Sequence, residues 1–424
     1  MILRALYRTP LSKEFNPGYY MHKPSHAPTY IFALLNIQQT PFLKPQRSLF
    51  TNHCCQSNHN TVLNSLRMTS TSKPTSRVLV LGAGNFGSCL ADHLADSTHR
   101  VYLWARSKQI VDTFNKERRN EKYLTDHVFP EGIDAIGPEL PSADFLNDVD
   151  VVLFAVPTQG LRKVLEELHP RMPKNRIPLM IFVNKGIETG SQALTLEIIA
   201  ESCGPDVAKA STFISGPSFA KEIVKRQPTT VSVSSLSLSH AQQASDLFHQ
   251  PWFRCYTGAD PVGVELAGAL KNVYAIAAGI ADGLGYENNT RAGLITRALA
   301  EMTRIGSAYG ASPLTFLSLA GDLMLTCTSS KSRNYTVGYR LGKGEQLDHI
   351  IRTLGSVAEG VTTSEGLKPM TQKLGVYAPG RDAKDVAIQL MNEPPLREID
   401  LPQGAGAPVE ELKKKLGVDS LDPA

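Results

Sequence analysis

The chain has 424 residues, 42% of them hydrophobic, which leaves room for two or more domains with full cores. Its formal charge of +4 is concentrated at one end, where residues 1–76 hold Arg4, Arg8, Lys13, Lys23, Lys44, Arg47, Arg67 and Lys73 against Glu14 alone. The remainder carries 36 basic and 39 acidic side chains, net −3, so the folded part is not a basic, nucleic-acid-binding body.

The N-terminal arm is rich in Pro, His, Asn, Ser and Thr, and its longest apolar run, YIFALLNI, is too short to cross a bilayer. It resembles an organellar transit peptide. The alternative is a disordered or untranslated extension with the start at Met68, since MTSTSKPTS leads straight into the first predicted strand. Arg77 to Leu81 (RVLVL) reads as a buried parallel strand, followed at once by Gly82, Gly84 and Gly87 and then by helical spacing from Ser88 to Asp96. A second strand starts at Val101. Strand, glycine turn, helix, strand is the unit in which a pyrophosphate sits on a helix N-terminus. A structural turn is the competing reading of the glycines alone.

Further along, DVDVVLFAVPT is a strand ending in a proline turn before a helix from Gly160 to Leu168. IPLMIFVNKGIE places a strand at Leu179 to Val183 and delivers Asn184, Lys185 and Gly186 to its carboxyl end, where open α/β sheets bind ligands. TFISGPSFAKEI does the same with Gly216, Pro217 and Ser218, Ser218 being placed as a helix cap or a phosphate donor. From about Asp260 the pattern turns helical, with a long segment VGVELAGALKNVYAIAAGIADGL and further helices predicted at 291–309, 313–325, 345–358 and 382–392.

The expected organisation is therefore a leader over 1–76, a Rossmann-type doubly wound α/β sheet over 77–259 binding NAD(P), an all-α substrate domain over 260–395, and a polar tail over 396–424. Cys54 and Cys55 lie in the arm, while Cys89, Cys203, Cys255 and Cys327 are scattered without metal-ligand spacing, so reduced thiols and no metal are expected.

Three groups in the helical half carry chemistry. Lys271 in ALKNVYAI would be desolvated if it faces inward, which lowers a lysine pKa into a useful range; otherwise it is an exposed lysine. Asp322 is an acid inside the apolar run LAGDLMLTC. Ser332, Arg333 and Asn334 offer a hydroxyl, a guanidinium fork and an amide, a set suited to a phosphate or carboxylate. Beyond the second strand stand Ala105, Arg106, Ser107 and Lys108, with no acid to mark NAD; Arg106 there suits the 2′-phosphate of NADP, or is simply a surface arginine.

GAGNFG, VNKGIE, GPSFAKE, ALKNVYAI, GDLMLTCTSSKSRNYTVG and SVAEGVTT, in this order over residues 77–395, strongly resemble the NAD(P)-dependent glycerol-3-phosphate dehydrogenases of bacterial type. The resemblance implies an FAD-independent oxidoreductase interconverting dihydroxyacetone phosphate and sn-glycerol 3-phosphate with NAD or NADP, supplying glycerol 3-phosphate for glycerolipid synthesis and redox balance. It implies Lys271 as proton donor and acceptor, with Lys185, Gly216, Ser218, Asp322, Ser332, Arg333 and Asn334 around the substrate. Cofactor contacts would come from Gly82, Gly84, Asn85, Phe86, Gly87, Lys185, Ala220, Arg333 and Glu359, with Arg106 added by the reading above. The expected partners are these two phosphates, with no nucleic acid and no membrane span, in a homodimer. The expected location is the cytoplasm, or mitochondrion or plastid if the leader works as a transit peptide. The rivals are a two-domain dehydrogenase of another hydroxy acid, with little use for a Ser-Arg-Asn phosphate clamp, and a non-catalytic dinucleotide sensor, which would be expected to lose Lys271 or Lys185.

Overall fold

The computed structural model describes residues 75–355, 357–373 and 407–421; residues 1–74 of the leader and the helix expected at 382–392 lie outside them. One eight-stranded sheet runs in the order β3-β2-β1-β4-β5-β6-β7-β8, with β1 Arg77–Leu81, β2 Arg100–Trp104, β3 Ile133–Ile136, β4 Val151–Phe154, β5 Leu179–Phe182, β6 Thr212–Ser215, β7 Thr229–Ser235 and β8 Phe253–Gly258. The first six are mutually parallel, β7 pairs antiparallel with β6, and β8 runs parallel to β7. This is a doubly wound sheet whose order reverses between β1 and β4, opening a crevice at their carboxyl ends.

The continuous apolar runs have a direct cause. Alternate residues of each central strand enter different cores: Leu79, Leu81, Val152, Phe154, Met180 and Phe182 pack on one face, Val78, Val80, Val151, Leu153 and Ile181 on the other. With both faces covered there is no solvent side to demand polar residues. Helices α1 Asn85–Asp96, α2 Lys108–Glu117, α3 Ala143–Asn147, α4 Thr158–Leu168, α5 Thr195–Cys203, α6 Pro205–Ala210, α7 Ala220–Ile223 and α8 Leu238–Phe248 fill the connections.

After β8 the chain is helical. α9 Pro261–Gly283 is started by Asp260, whose Oδ1 accepts from the Gly263 N–H at 2.8 Å, with Pro261 preset in the first turn. Every residue of α9 except Asp282 is buried, so it is the axial strut on which α10 Asn288–Ala308, α11 Pro313–Ser318, α12 Ala320–Thr328, α13 Arg333–Gly342, α14 Leu347–Thr353 and α15 Glu359–Lys373 are arranged. It is long and apolar enough to cross a membrane, yet 94% of its most apolar window is buried inside the protein. Gly279 and Gly283 on α9 face Gly338 and Gly342 on α13, where any Cβ would overlap the opposing backbone carbonyls. The two helices touch backbone to backbone.

Three expectations on the helical half are corrected. The segment 313–325 is two helices, broken at Leu319; Asp260 also holds the start of the first, its Oδ2 accepting from Ser312 N–H at 2.9 Å and Thr315 Oγ–H at 2.6 Å. The segment 345–358 narrows to α14, which ends before Gly355 at φ +71. The stretch expected to be a polar tail contains α16 Ala407–Leu416, with Val409, Leu412 and Leu416 buried against the body. Those three sit at one-turn spacing between charged residues, which masked a helical face. Cys89, Cys203, Cys255 and Cys327 are free, buried thiols.

Candidate active site

At the β1 turn each glycine has its own reason. Gly82 has φ +120, and a Cβ there would lie 2.7 Å from Ala155 O; a Cβ on Gly87 would overlap Gly82 O; Gly84 faces open space. Gly84 is the N-cap of α1 with no side-chain acceptor, so the first amides of the helix are left pointing outward. A bare helix N-terminus approached across a glycine fits a pyrophosphate. Asn85 and Phe86 form its first turn, and the Phe86 ring lies 5.8 Å from Lys185 Nζ. Ala220, first residue of α7, packs on the same core as Phe86. Arg106 stands exposed just past β2, paired with no described residue.

At the carboxyl ends of β5 and β6 two lysines share one buried acid. Lys271, midway along α9 and 6% exposed, donates from Nζ to Asp322 Oδ1 at 2.5 Å and to Thr326 Oγ1 at 3.1 Å. Lys185 donates to Asp322 Oδ2 at 3.2 Å and to Gly216 O at 3.2 Å. Ser215 Oγ donates to the same Asp322 oxygen at 3.4 Å. Asn272 Nδ2 donates to Lys185 O at 3.1 Å, tying α9 to the loop behind β5. A Cβ on Gly268, one turn before Lys271, would lie 3.0 Å from Ser215 Oγ and 3.5 Å from Lys185 Cγ, so the missing side chain makes room for Lys185.

The charges set the proton affinities. Burial pushes Lys271 down and Lys185 pushes it further, while Asp322 pulls it back up, for a net value of about 8. Burial alone would raise Asp322, but the two ammonium groups outweigh it and hold the carboxyl below its ordinary range. Two cations and one anion leave the cluster net positive.

A second edge is built from α13 and α15. Ser332 caps α13, its Oγ accepting from Tyr335 N–H at 3.3 Å, and Arg333 follows as an exposed first residue. Asn334 Oδ1 accepts from Gly360 N–H at 2.9 Å and joins the two helices. Glu359 opens α15; burial raises its carboxyl, opposed by Arg333 and by the Thr158 backbone, with Lys185 and Lys271 adding smaller pulls. Arg333, Lys185 and Lys271 are therefore within electrostatic reach of one group.

Most of the residues singled out by sequence thus converge. Ser218 is not a helix cap: Phe219 precedes α7, and Ser218 Oγ donates to Gly216 O at 2.9 Å, because Gly216 at φ +152 turns that carbonyl toward both Ser218 and Lys185. Pairing of Arg333 with Asp322 is absent among the described residues, since the lysines occupy both carboxylate oxygens. Sequence reading missed Thr326, Ser215 and Asn272. Thr326 was recoverable, four residues after Asp322 and so on the same helix face.

A doubly wound sheet with an open glycine turn, a buried lysine beside the carboxyl ends of its strands and a helical half closing over it defines a nicotinamide-dependent dehydrogenase. Residues 77–241 match the NAD-dependent glycerol-3-phosphate dehydrogenase N-terminus and residues 260–383 the NAD-dependent glycerol-3-phosphate dehydrogenase C-terminus. The chain is 43% identical over 339 residues to glycerol-3-phosphate dehydrogenase [NAD(P)+] of Geobacillus kaustophilus, covering 76% of this chain and 96% of that one. It is 45% identical to the enzyme of the same name from Geobacillus thermodenitrificans, covering 71% and 87%. The crystal structure of glycerol-3-phosphate dehydrogenase from Coxiella burnetii superposes with a TM-score of 0.68 at 32% identity, covering 76% of this chain and 99% of that chain. The chain belongs to the NAD(P)-dependent glycerol-3-phosphate dehydrogenase family.

Proposed function

We propose that the chain interconverts dihydroxyacetone phosphate and sn-glycerol 3-phosphate, with Lys271 as the group that moves the proton at the C2 oxygen. The observation that carries this is Lys271 buried on α9 against Asp322, held near a pKa of about 8. A nicotinamide dinucleotide, held by Gly82, Gly84, Asn85, Phe86, Gly87 and Ala220, supplies the hydride when bound. Protonated Lys271 donates to the developing alkoxide during ketone reduction, and neutral Lys271 takes the proton back during oxidation. Asp322 and Thr326 aim the ammonium, since each accepts one of its hydrogens.

Lys185, with Gly216 and Ser218 at the end of β6, orients the substrate on the other side of Asp322. Ser332, Arg333 and Asn334 take the phosphate, remote from the reacting carbon, so that its binding energy positions the carbonyl. Arg333 and Glu359 also meet the cofactor, and Lys185 lies beside it over Phe86. Residues 77–259 carry most of the dinucleotide contacts, and residues 260–395 the proton-transfer and phosphate-binding groups. The proposed assembly is a homodimer, checked by light scattering, and the proposed location is the cytoplasm. Purified protein should oxidise NADH or NADPH with dihydroxyacetone phosphate and be inactive with ketopantoate and other ketoacids; the reverse preference overturns the reading.

A further inference from the structure

Lys185 reaches the site on a loop, residues 183–194, that is neither helix nor strand; beyond its internal backbone bonds from Glu188 N–H to Ala193 O at 3.0 Å and from Gln192 N–H to Glu188 O at 2.9 Å, side chains tie it to the neighbouring helices. From α4, Gln159 Nε2 donates to Ile187 O at 2.8 Å and Gln159 Oε1 accepts from Thr189 N–H at 3.1 Å. One turn along, Arg162 grips Glu188 with Nε to Oε1 at 3.1 Å and Nη2 to Oε2 at 2.7 Å. The same Nη2 donates to Glu201 Oε2 of α5 at 2.8 Å. The other oxygen of Glu201 lies 2.9 Å from Lys415 Nζ of α16, which is also 3.0 Å from Glu197 Oε1. An unbroken chain of charges therefore runs from the C-terminal helix to the Lys185 loop, and α16 lies beyond both stretches that match the family.

We propose that Arg162 and Lys415 are positioning residues for the Lys185 loop, and that α16 acts as a latch keeping Arg162 committed to Glu188. The inference rests on reading Lys185 as a substrate-side group. Its basis is a charge count. Glu188 and Glu201 share Arg162, while Lys415 bridges Glu201 and Glu197 and lies 3.8 Å from Glu411; the Glu188 side chain is only 14% exposed, so it does not tolerate losing its partner. Burial pushes Glu188 up, and the Arg162 guanidinium with the Ser191 hydroxyl overcomes this to hold it ionised. Without Lys415, Arg162 is the one cation left to both Glu188 and Glu201 among the described residues. It is drawn toward Glu201, and Glu188 with its loop is released.

Lys415→Ala in the full-length chain should speed amide hydrogen exchange over residues 183–194. It should also raise KM for dihydroxyacetone phosphate by about two- to fivefold, with kcat little changed, on the scale of one partly exposed ion pair. Lys415→Arg should behave as wild type. Adding Glu201→Gln to Lys415→Ala removes the surplus acid and should restore both readouts, which a merely structural role for α16 would not do. Unaltered exchange in the loop, or a defect that Glu201→Gln leaves in place, overturns the latch. If loop exchange rises and is restored by Glu201→Gln while KM never moves, the latch stands and the substrate role of Lys185 falls.

Discussion

Two lysines on one carboxylate make the reaction's pH dependence readable residue by residue. Because Lys271 titrates near 8, ketone reduction, which needs its protonated form, should decline as pH rises through about 8, and alcohol oxidation should rise through the same interval. Lys185→Met removes a neighbouring positive charge and should move that midpoint up, whereas Asp322→Asn removes the charge that supports protonation and should move it down. Profiles of kcat/KM that leave the midpoint in place for both variants would exclude Lys271 as the titrating group. Lys271→Ala should keep fold and dinucleotide binding while lowering turnover by about a hundred- to ten-thousandfold. At Arg333 the exposed fork makes no ion pair within 4.0 Å among the described residues, Glu359 feeling its charge without a salt bridge, so Arg333→Lys should weaken use of dihydroxyacetone phosphate by roughly tenfold, with unphosphorylated dihydroxyacetone losing much less. Equal losses for both ketones would show that the arginine does not read the phosphate. Arg106, exposed and paired with no described residue, is expected to let NADPH serve at least as readily as NADH, and Arg106→Ala should cost NADPH efficiency more than NADH efficiency.

Between elements, the decisive contact is the seam of α9 and α13. Lys271 is on the first helix and the Ser332-Arg333-Asn334 group begins the second, so their separation is set by how closely these helices lie. Gly279, Gly283, Gly338 and Gly342 bring the two backbones together, and no side chain exists there that could shrink to accommodate a methyl group. Gly338→Ala should therefore cost about 1–3 kcal/mol of stability, the range for overpacking a filled interior. It should also raise KM for the phosphate-bearing substrate by displacing α13. A variant with wild-type melting temperature and KM would show that the helices separate freely and that the seam does not set the site.

Across the whole molecule, legibility followed burial. β1, β4 and β5 were readable because covered faces on both sides leave unbroken apolar runs, and β6 (TFIS) was readable from the Gly-Pro turn that ends it, whereas β3 (IDAI), β7 (TTVSVSS) and β8 (FRCYTG) alternate or carry polar residues and gave no such signal. Lys271 and Asp322 stood out as charges in apolar helices, but their sharing of one site depends on α9 meeting α12, which periodicity within either helix does not encode. α16 was hidden because its lysine and glutamate surface looks solvated, while Lys415 in fact satisfies acids on α5. Ser76 N–H donates to His99 Nδ1 at 3.1 Å and Arg77 N–H to Asp150 Oδ2 at 2.9 Å, so the first strand is anchored from residue 76 onward by groups of its own sheet layer. The family match likewise begins at residue 77. A chain beginning at Met68 retains both anchors and every strand and helix described. It should melt at the same temperature as the full chain and keep kcat and KM within about twofold, since the composition of residues 1–67 offers too little apolar surface to offset the entropy of ordering them. A soluble truncated protein that has lost activity would show that residues 1–67 contribute to the site.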